Sequence, residues 1–472
     1  MIRRVIIIGA GMGGLTAALR LAQQGLSVRI IEARPEAGGL ASAFEKDGLV
    51  FDAGPYILLD RPGLEWAFRS LGLELTEHVT LRRIEEVYEV LSSEGTTVQF
   101  YADGKRTAAG IDAAWPGSGK HYERFVADMK VAHERLSPLL YLSHPGPASL
   151  FRNRAFTRIP FLLRSLSSIL TRANLPQPVV EAIAIWTQIA GQRIDEAPSP
   201  LAFVPALIHS VGAFYPVAGI GSIPRALTRV AAKAGVEFQY GTTVRSIVSE
   251  QRRVRGVETD QDEFVQADAI VSNYNGIGTY LDMLGDTPAP ARKSLNKLPL
   301  QSPGACAYLA VRGEISPPYL RFQLPGNGEL CRLFVKPTVM APELEKNGWA
   351  PARLISPMSH VVAEGLSAAE QHDYLDRLLA ERWWQEGLDE FRVLATRVPA
   401  EWGAQYNLYR NSMNPVMTAG FMRAGRLAHK SPYAQGLYLA GSSTHPGQWV
   451  SFCAISGILA ANDLLQDMNQ WT

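Results

Sequence analysis

Four β-branched residues, Val5-Ile6-Ile7-Ile8, run without interruption into Gly9-Ala10-Gly11-Met12-Gly13-Gly14, and this junction constrains the chain more than any other stretch. The apolar run predicts a strand buried on both faces. Leu15, Ala18, Leu19 and Ala22 then recur at helical spacing, and Gly25 stops the helix. Val28 to Ile31 reads as a second buried strand, with Glu32 at its C-terminal end.

The unit carries a dinucleotide fingerprint in which each part has a physical task. Gly9 permits the tight turn, Gly11 lets a pyrophosphate approach the backbone, and Gly14 lets helix and strand pack closely. The helix N-terminus offers free N–H groups and the positive end of its dipole to phosphates. Glu32 lies 18 residues beyond Gly14, where a carboxylate can accept hydrogen bonds from ribose hydroxyls.

Arg34-Pro35-Glu36-Ala37-Gly38-Gly39-Leu40-Ala41-Ser42 follows the second strand directly. This glycine pair resembles the second signature of the FAD-dependent flavin amine oxidase and phytoene desaturase superfamily. The resemblance implies that the Gly-Gly turn touches the pyrophosphate, that Arg34 helps hold phosphate or ribose, and that Leu40, Ala41 and Ser42 line the flavin. Phe51-Asp52-Ala53-Gly54-Pro55-Tyr56 is similar to a superfamily stretch that runs beside the isoalloxazine, with Tyr56 where desaturases carry a small hydroxyl residue. Asp52 reads as a cap for backbone amides.

With 472 residues the chain can bury a large core and should divide into two domains. Its net charge of +1 excludes the basic footprint that nucleic-acid binding needs. Cys306, Cys331 and Cys453 lie far apart, so no disulfide framework or zinc site follows, and a cytoplasmic location fits. No signal peptide is expected ahead of the first strand, and no apolar run reaches the roughly 18 residues of a membrane span.

Strands are expected at 79–81, 87–91 and 98–101, and a helix at 121–136. Residues 152–172 hold five arginines (Arg152, Arg154, Arg158, Arg164 and Arg172) and no acid. Pro160 can start a helix there, with Leu162, Leu163, Leu166, Ile169 and Leu170 as one apolar stripe. Two readings stand: a basic amphipathic anchor at the inner face of a membrane, or a cap over a substrate cavity with solvated arginines. Ser222 can cap a helix ended by Gly235. Val244 resembles the position whose backbone stacks on adenine, and Asn273 ends a buried strand near the cofactor in the superfamily. A helix is expected at 368–386, and Trp383-Trp384 read as core residues.

Gly436 to Gly441 reads as a strand, 442–448 as a loop, and the chain from Trp449 as an apolar helix. A helix N-terminus aimed at the flavin pyrimidine would stabilise negative charge on the reduced ring. Thr444-His445-Pro446-Gly447 is similar to phytoene desaturases, and Pro446-Gly447-Gln448 with Ser456-Gly457 to carotenoid cis–trans isomerases. Trp449 stands where both carry glycine, and an indole there would shorten or redirect a polyene tunnel.

The fold expected is α/β: a Rossmann-like FAD domain of glutathione-reductase type (1–74, 214–276 and 427–472) with an interleaved α+β substrate domain (75–213 and 277–426). The resemblance places Gly9, Gly11, Met12, Gly13, Gly14, Glu32, Ala33, Arg34, Gly39, Leu40, Ala41, Pro55, Tyr56, Val244, Asn273, Gly441, Ser442, Trp449, Val450 and Ser451 on FAD. A single GxGxxG leaves no separate nicotinamide domain, so electrons would leave for oxygen or a quinone. The implied reaction is desaturation of an apolar polyene or isoprenoid by hydride transfer to flavin N5. Redox-neutral isomerisation or saturation, amine oxidation with Lys336 or Lys430 near N5, and a non-catalytic flavin-binding partner are the alternatives. Tyr56, His445 and Trp449 are candidate catalytic residues; His445 titrates near neutrality, but its loop setting recurs for structural reasons.

Overall fold

In a computed structural model, which describes residues 4–326 and 328–470, β1 (Arg4–Ile8) is hydrogen-bonded on both sides. One neighbour is β2 (Ser27–Glu32) and the other is the strand Ala269–Ser272. Ile7 faces Ile30 in one register and Val271 in the other, so the apolar run is buried on both faces as its composition requires. Leu437–Leu439 and Glu237–Tyr240 extend the sheet at its edges, and all four pairings are parallel.

Helix α1 (Met12–Ala22) is almost wholly buried, because it lies between this sheet and the C-terminal helix Val450–Gln470. The two helices cross through small residues. Thr16 Oγ1 donates to the Ala454 carbonyl at 2.9 Å. A Cβ on Gly457 would lie 2.0 Å from the Gly13 carbonyl oxygen, so only glycine permits this approach.

A second, mixed sheet has seven strands, in the order Leu388–Arg397, Ala305–Gly313, Ala350–Ser356, Arg332–Val335, Leu320–Gln323, Glu86–Leu91 and Thr97–Tyr101. Its strands come from two distant parts of the chain, joined through Leu320–Gln323 and Glu86–Leu91. Helix Gln177–Gln188 packs on it, with Trp186 edge-on to Tyr88 and Phe322. The architecture is the expected α/β layout of a Rossmann-like sheet beside an α+β layer.

Several local expectations change. Residues 79–81 are not a strand: Leu75–His78 is a helical turn, and the short strand Leu81–Arg83 pairs with Phe214–Pro216 instead of joining the large sheet. Helix Ser222–Lys233 takes Gly221 as its N-cap, and the Ser222 hydroxyl donates backward to the Gly219 carbonyl. The helix at 368 stops at Ala380, so Trp383 and Trp384 follow it; Trp384 is core, and Trp383 is half-buried and donates to Glu381.

Residues 152–172 form no single amphipathic helix. The chain breaks into Pro147–Arg152, the turns Ala155–Arg158 and Ile159–Leu162, and Leu166–Thr171. Arg154 in the left-handed region (φ 53°) ends the first piece, and the Ser165 hydroxyl caps a new helix by accepting from Ser168 N. Leu166, Ile169 and Leu170 turn inward, whereas Phe151, Phe156, Ile159 and Leu163 are exposed, with Phe151 and Phe156 stacked at 5.6 Å. Among the described residues no helix is long and apolar enough to cross a membrane.

Candidate active site

The end of β1 and the start of α1 form a cradle with no room for side chains. A Cβ at Gly11 would approach Asn273 Nδ2 to 2.5 Å, and one at Gly13 would come within 2.7 Å of the Gly441 backbone nitrogen. Asn273 thus packs directly against the glycine turn. No side chain caps the N-terminus of α1, so its first N–H groups remain available to an anion. Glu32 is buried beside the turn. Its carboxylate accepts from Ala10 N at 2.6 Å and from Arg34 N at 2.9 Å, and burial raises its pKa above the ordinary value. Each oxygen receives one backbone N–H, which leaves lone pairs for a ligand hydroxyl.

Arg34 is held over the Tyr406 ring at 4.1 Å and donates to Ser42 Oγ at 3.0 Å. Asp52 caps as expected: it accepts from the Tyr215 hydroxyl at 2.6 Å and from Gly221 N at 3.4 Å, which fixes the turn before Ala53-Gly54-Pro55-Tyr56. Ser451, in the first turn of the C-terminal helix, donates to Asp60 at 2.9 Å, and Asp60 also caps the helix Arg61–Ser70.

These elements enclose one cavity of about 1270 Å³. Gly9, Gly11, Met12, Glu32, Ala33, Arg34, Gly39, Leu40, Ala41, Pro55, Tyr56, Val244, Asn273, Gly441, Ser442, Trp449, Val450 and Ser451 all line it. Gly13 and Gly14 do not; they serve packing beneath the turn, and a Cβ on Gly14 would lie 2.1 Å from the Gly9 carbonyl oxygen. The residues expected on FAD are therefore gathered from six separate stretches of chain into the lining of one cavity. The helical layer adds an apolar part of the lining: Leu136, Leu139, Leu150, Leu162, Phe203 and Leu207.

His445 lines the cavity, but its Nε2 donates to the Leu139 carbonyl at 2.9 Å. Burial, the largest cause, and the nearby Arg426 guanidinium push it from 6.5 down to about 4, so it is neutral and fastens the loop. Trp449 stacks on Phe452 at 4.9 Å and stands at the cavity wall. Burial pushes the Tyr56 phenol far above its usual value, so it remains a proton donor. Lys336 is spent on the Ser316 carbonyl and Lys430 on Asp467; among the described residues no lysine lines the cavity.

Arg353, Arg397, Trp402 and Tyr406 are among the cavity residues to which the sequence reading gives no role. Arg353 donates to the Gly54 carbonyl at 3.0 Å, and Arg397 donates to the neighbouring Ala53 carbonyl and lies 3.1 Å over the Trp402 ring. Tyr406 completes the row. The only sequence signal is a cation in the otherwise apolar strand Ala350–Ser356.

Comparison with known proteins agrees with this geometry. A zeta-carotene-forming phytoene desaturase from Myxococcus xanthus is 27% identical over 98% of this chain and 94% of its own length. A 4,4'-diapolycopene oxygenase from Methylomonas sp is 24% identical over 99% of both chains. An oxidoreductase from Methanosarcina mazei has the same fold, with a TM-score of 0.67 at 16% identity, covering 98% of this chain and all of the other. Residues 12–276, more than half of the chain, match the family described as flavin containing amine oxidoreductase. With the glycine cradle, the buried acid and the second glycine turn brought to one cavity wall, the chain belongs to that family of flavin oxidoreductases.

Proposed function

We propose that the chain binds FAD and dehydrogenates an apolar polyene or isoprenoid chain. The observation that supports this most directly is the continuity of one large cavity from the glycine cradle to the leucine-lined helical layer. The α1 N-terminus would take the pyrophosphate, Glu32 the ribose, and Val244 the adenine. The turn 53–56 and the start of the C-terminal helix would flank the flavin. When bound, the flavin would accept hydride at N5.

The protein's own part is positional. The apolar wall excludes water and aligns a carbon–hydrogen bond, while Trp449 limits how far a chain can pass. His445 is held near 4 and its Nε2 is committed to the Leu139 carbonyl, which makes it a poor proton acceptor, so the proton lost with the hydride would go to another weak base or to water beyond the apolar wall. Electrons then pass to oxygen or a quinone.

The membrane contact is part of the same reading. Leu150 and Leu162 line the cavity, and their chain neighbours Phe151 and Leu163 are exposed. This apolar rim, with exposed Arg152 and Arg154 beside it, suits uptake of a chain from an anionic bilayer surface. Incubation with phytoene in liposomes tests the reaction: lengthened conjugation moves the polyene absorbance to longer wavelength, and a spectrum unchanged under oxygen or quinone contradicts it.

A further inference from the structure

Arg353 and Arg397 are 3% and 6% exposed, and both line the cavity. They come from different strands, Ala350–Ser356 and Leu388–Arg397, which pair on either side of the strand carrying Tyr308, and their guanidinium carbons lie 5.5 and 5.2 Å from its ring centroid. Each gives one N–H to a carbonyl of the turn, Gly54 or Ala53. The Nε of each is buried without a hydrogen-bond partner among the described residues.

Two guanidiniums buried around one tyrosine ring repel each other and lose hydration. Burial favours the neutral form of Arg397 and Arg353 adds to that; Tyr308 and Cys306 act the other way, but no carboxylate among the described residues does. Asp52 favours the charged form of Arg353 through space, but its hydrogen bonds are made with Tyr215 and Gly221 N. The Tyr56 phenol lies close to Arg353 and is a donor as well. The cavity floor thus offers an unbalanced set of donors and positive charge. A hydrocarbon supplies no acceptor for it, whereas a planar carboxylate matches paired guanidinium forks.

We propose that Arg353, Arg397 and Tyr56 recognise a carboxylate at one end of the substrate, so that the substrate class is a polyunsaturated chain bearing an acidic head. This rests on the reading of the cavity as the seat of a flavin-dependent polyene dehydrogenase. Arg353 and Ile355 alternate onto the cavity face of their strand, and Pro357 just beyond its end lines the cavity too, so the charged head sits on a floor that turns apolar within one residue pair. The tail then lies along Trp186, Ile189 and Phe203.

The test compares arachidonate with methyl arachidonate on the purified flavin-loaded protein, followed by perturbation of the flavin absorbance. The acid is expected to bind at least about tenfold more tightly than the ester. Arg397→Gln and Arg353→Gln should each reduce that ratio to below about threefold while flavin content and ester affinity hold. Arg397→Lys, which keeps the charge but not the fork, should fall between. Equal binding of acid and ester by the wild-type protein overturns the proposal, whatever the variants do. Joint loss of flavin and both ligands in the glutamine variants also overturns it, since the arginines would then serve the cofactor turn. Flavin reduction by a hydrocarbon polyene with no acid preference would leave the dehydrogenase reading standing and remove the carboxylate site alone.

Discussion

Gly457 of the C-terminal helix faces the backbone of Gly13 so closely that a Cβ would lie 2.0 Å from the Gly13 carbonyl oxygen and 2.2 Å from Thr16 Oγ1. The last helix of the chain thereby fixes the first, and the cofactor cradle depends on residues more than four hundred positions apart. Gly457→Ala must push the helices apart. It should cost about 1–3 kcal/mol of stability and release flavin, measured by thermal unfolding and by the flavin-to-protein absorbance ratio.

Glu32 tests the cofactor assignment more locally. Replacing it with alanine removes the acceptor for Ala10 N and Arg34 N as well as for a ribose. Flavin affinity should fall at least tenfold, about 1.4 kcal/mol, in a fluorescence titration. Full retention of affinity would show that ribose binding lies elsewhere.

The histidine near the cavity carries a pH dependence. Burial pushes the folded-state pKa of His445 from its ordinary 6.5 down to about 4. Between these values the unfolded chain binds a proton that the folded chain refuses. The stability associated with His445 is therefore complete above about pH 6.5 and is lost as pH falls toward 4, by up to about 1.4 kcal/mol per pH unit. His445→Gln can still donate to the Leu139 carbonyl, so the stability gap between wild type and variant should move in the variant's favour over this window. A gap independent of pH in denaturant titrations would contradict the buried, neutral assignment.

Trp449 stacks on Phe452 at the cavity wall. Trp449→Gly should open the cavity, and longer polyenes should then reduce the flavin about tenfold faster relative to short ones. An unchanged chain-length profile in single-turnover absorbance would place the indole outside the substrate path.

The exposed rim makes a membrane prediction. Phe151 is 73% exposed and Phe156 is 46% exposed. Phe151→Ser with Phe156→Ser should lower partition onto anionic liposomes at least about tenfold in flotation. Flotation unaffected by this change would rule the rim out as an anchor.

What was readable in the sequence follows from the range of the interactions. The unit 5–32 declares itself because strand, turn, helix and acid are contiguous, and each obeys a local rule. The turn 53–56 and the C-terminal helix were also legible, by resemblance to a family whose turns repeat the same chemistry. The cavity floor was not, because Arg353 and Arg397 meet only through the pairing of strands that read as ordinary sheet, and Trp402 and Tyr406 join them from the helical turn after the second. The segment 152–172 misled for a different reason. Its apolar spacing fits one helix, but Arg154 in the left-handed region and the Ser165 cap divide it, so Leu166, Ile169 and Leu170 point inward while Phe156, Ile159 and Leu163 face out.

Anaerobic mixing of the flavin-loaded protein with phytoene in detergent, followed by flavin absorbance, is the most direct test of the central claim. Bleaching of the flavin with formation of a more conjugated product is the predicted result. A flavin that stays oxidised with every polyene, or that is bleached only by amines, would contradict the account.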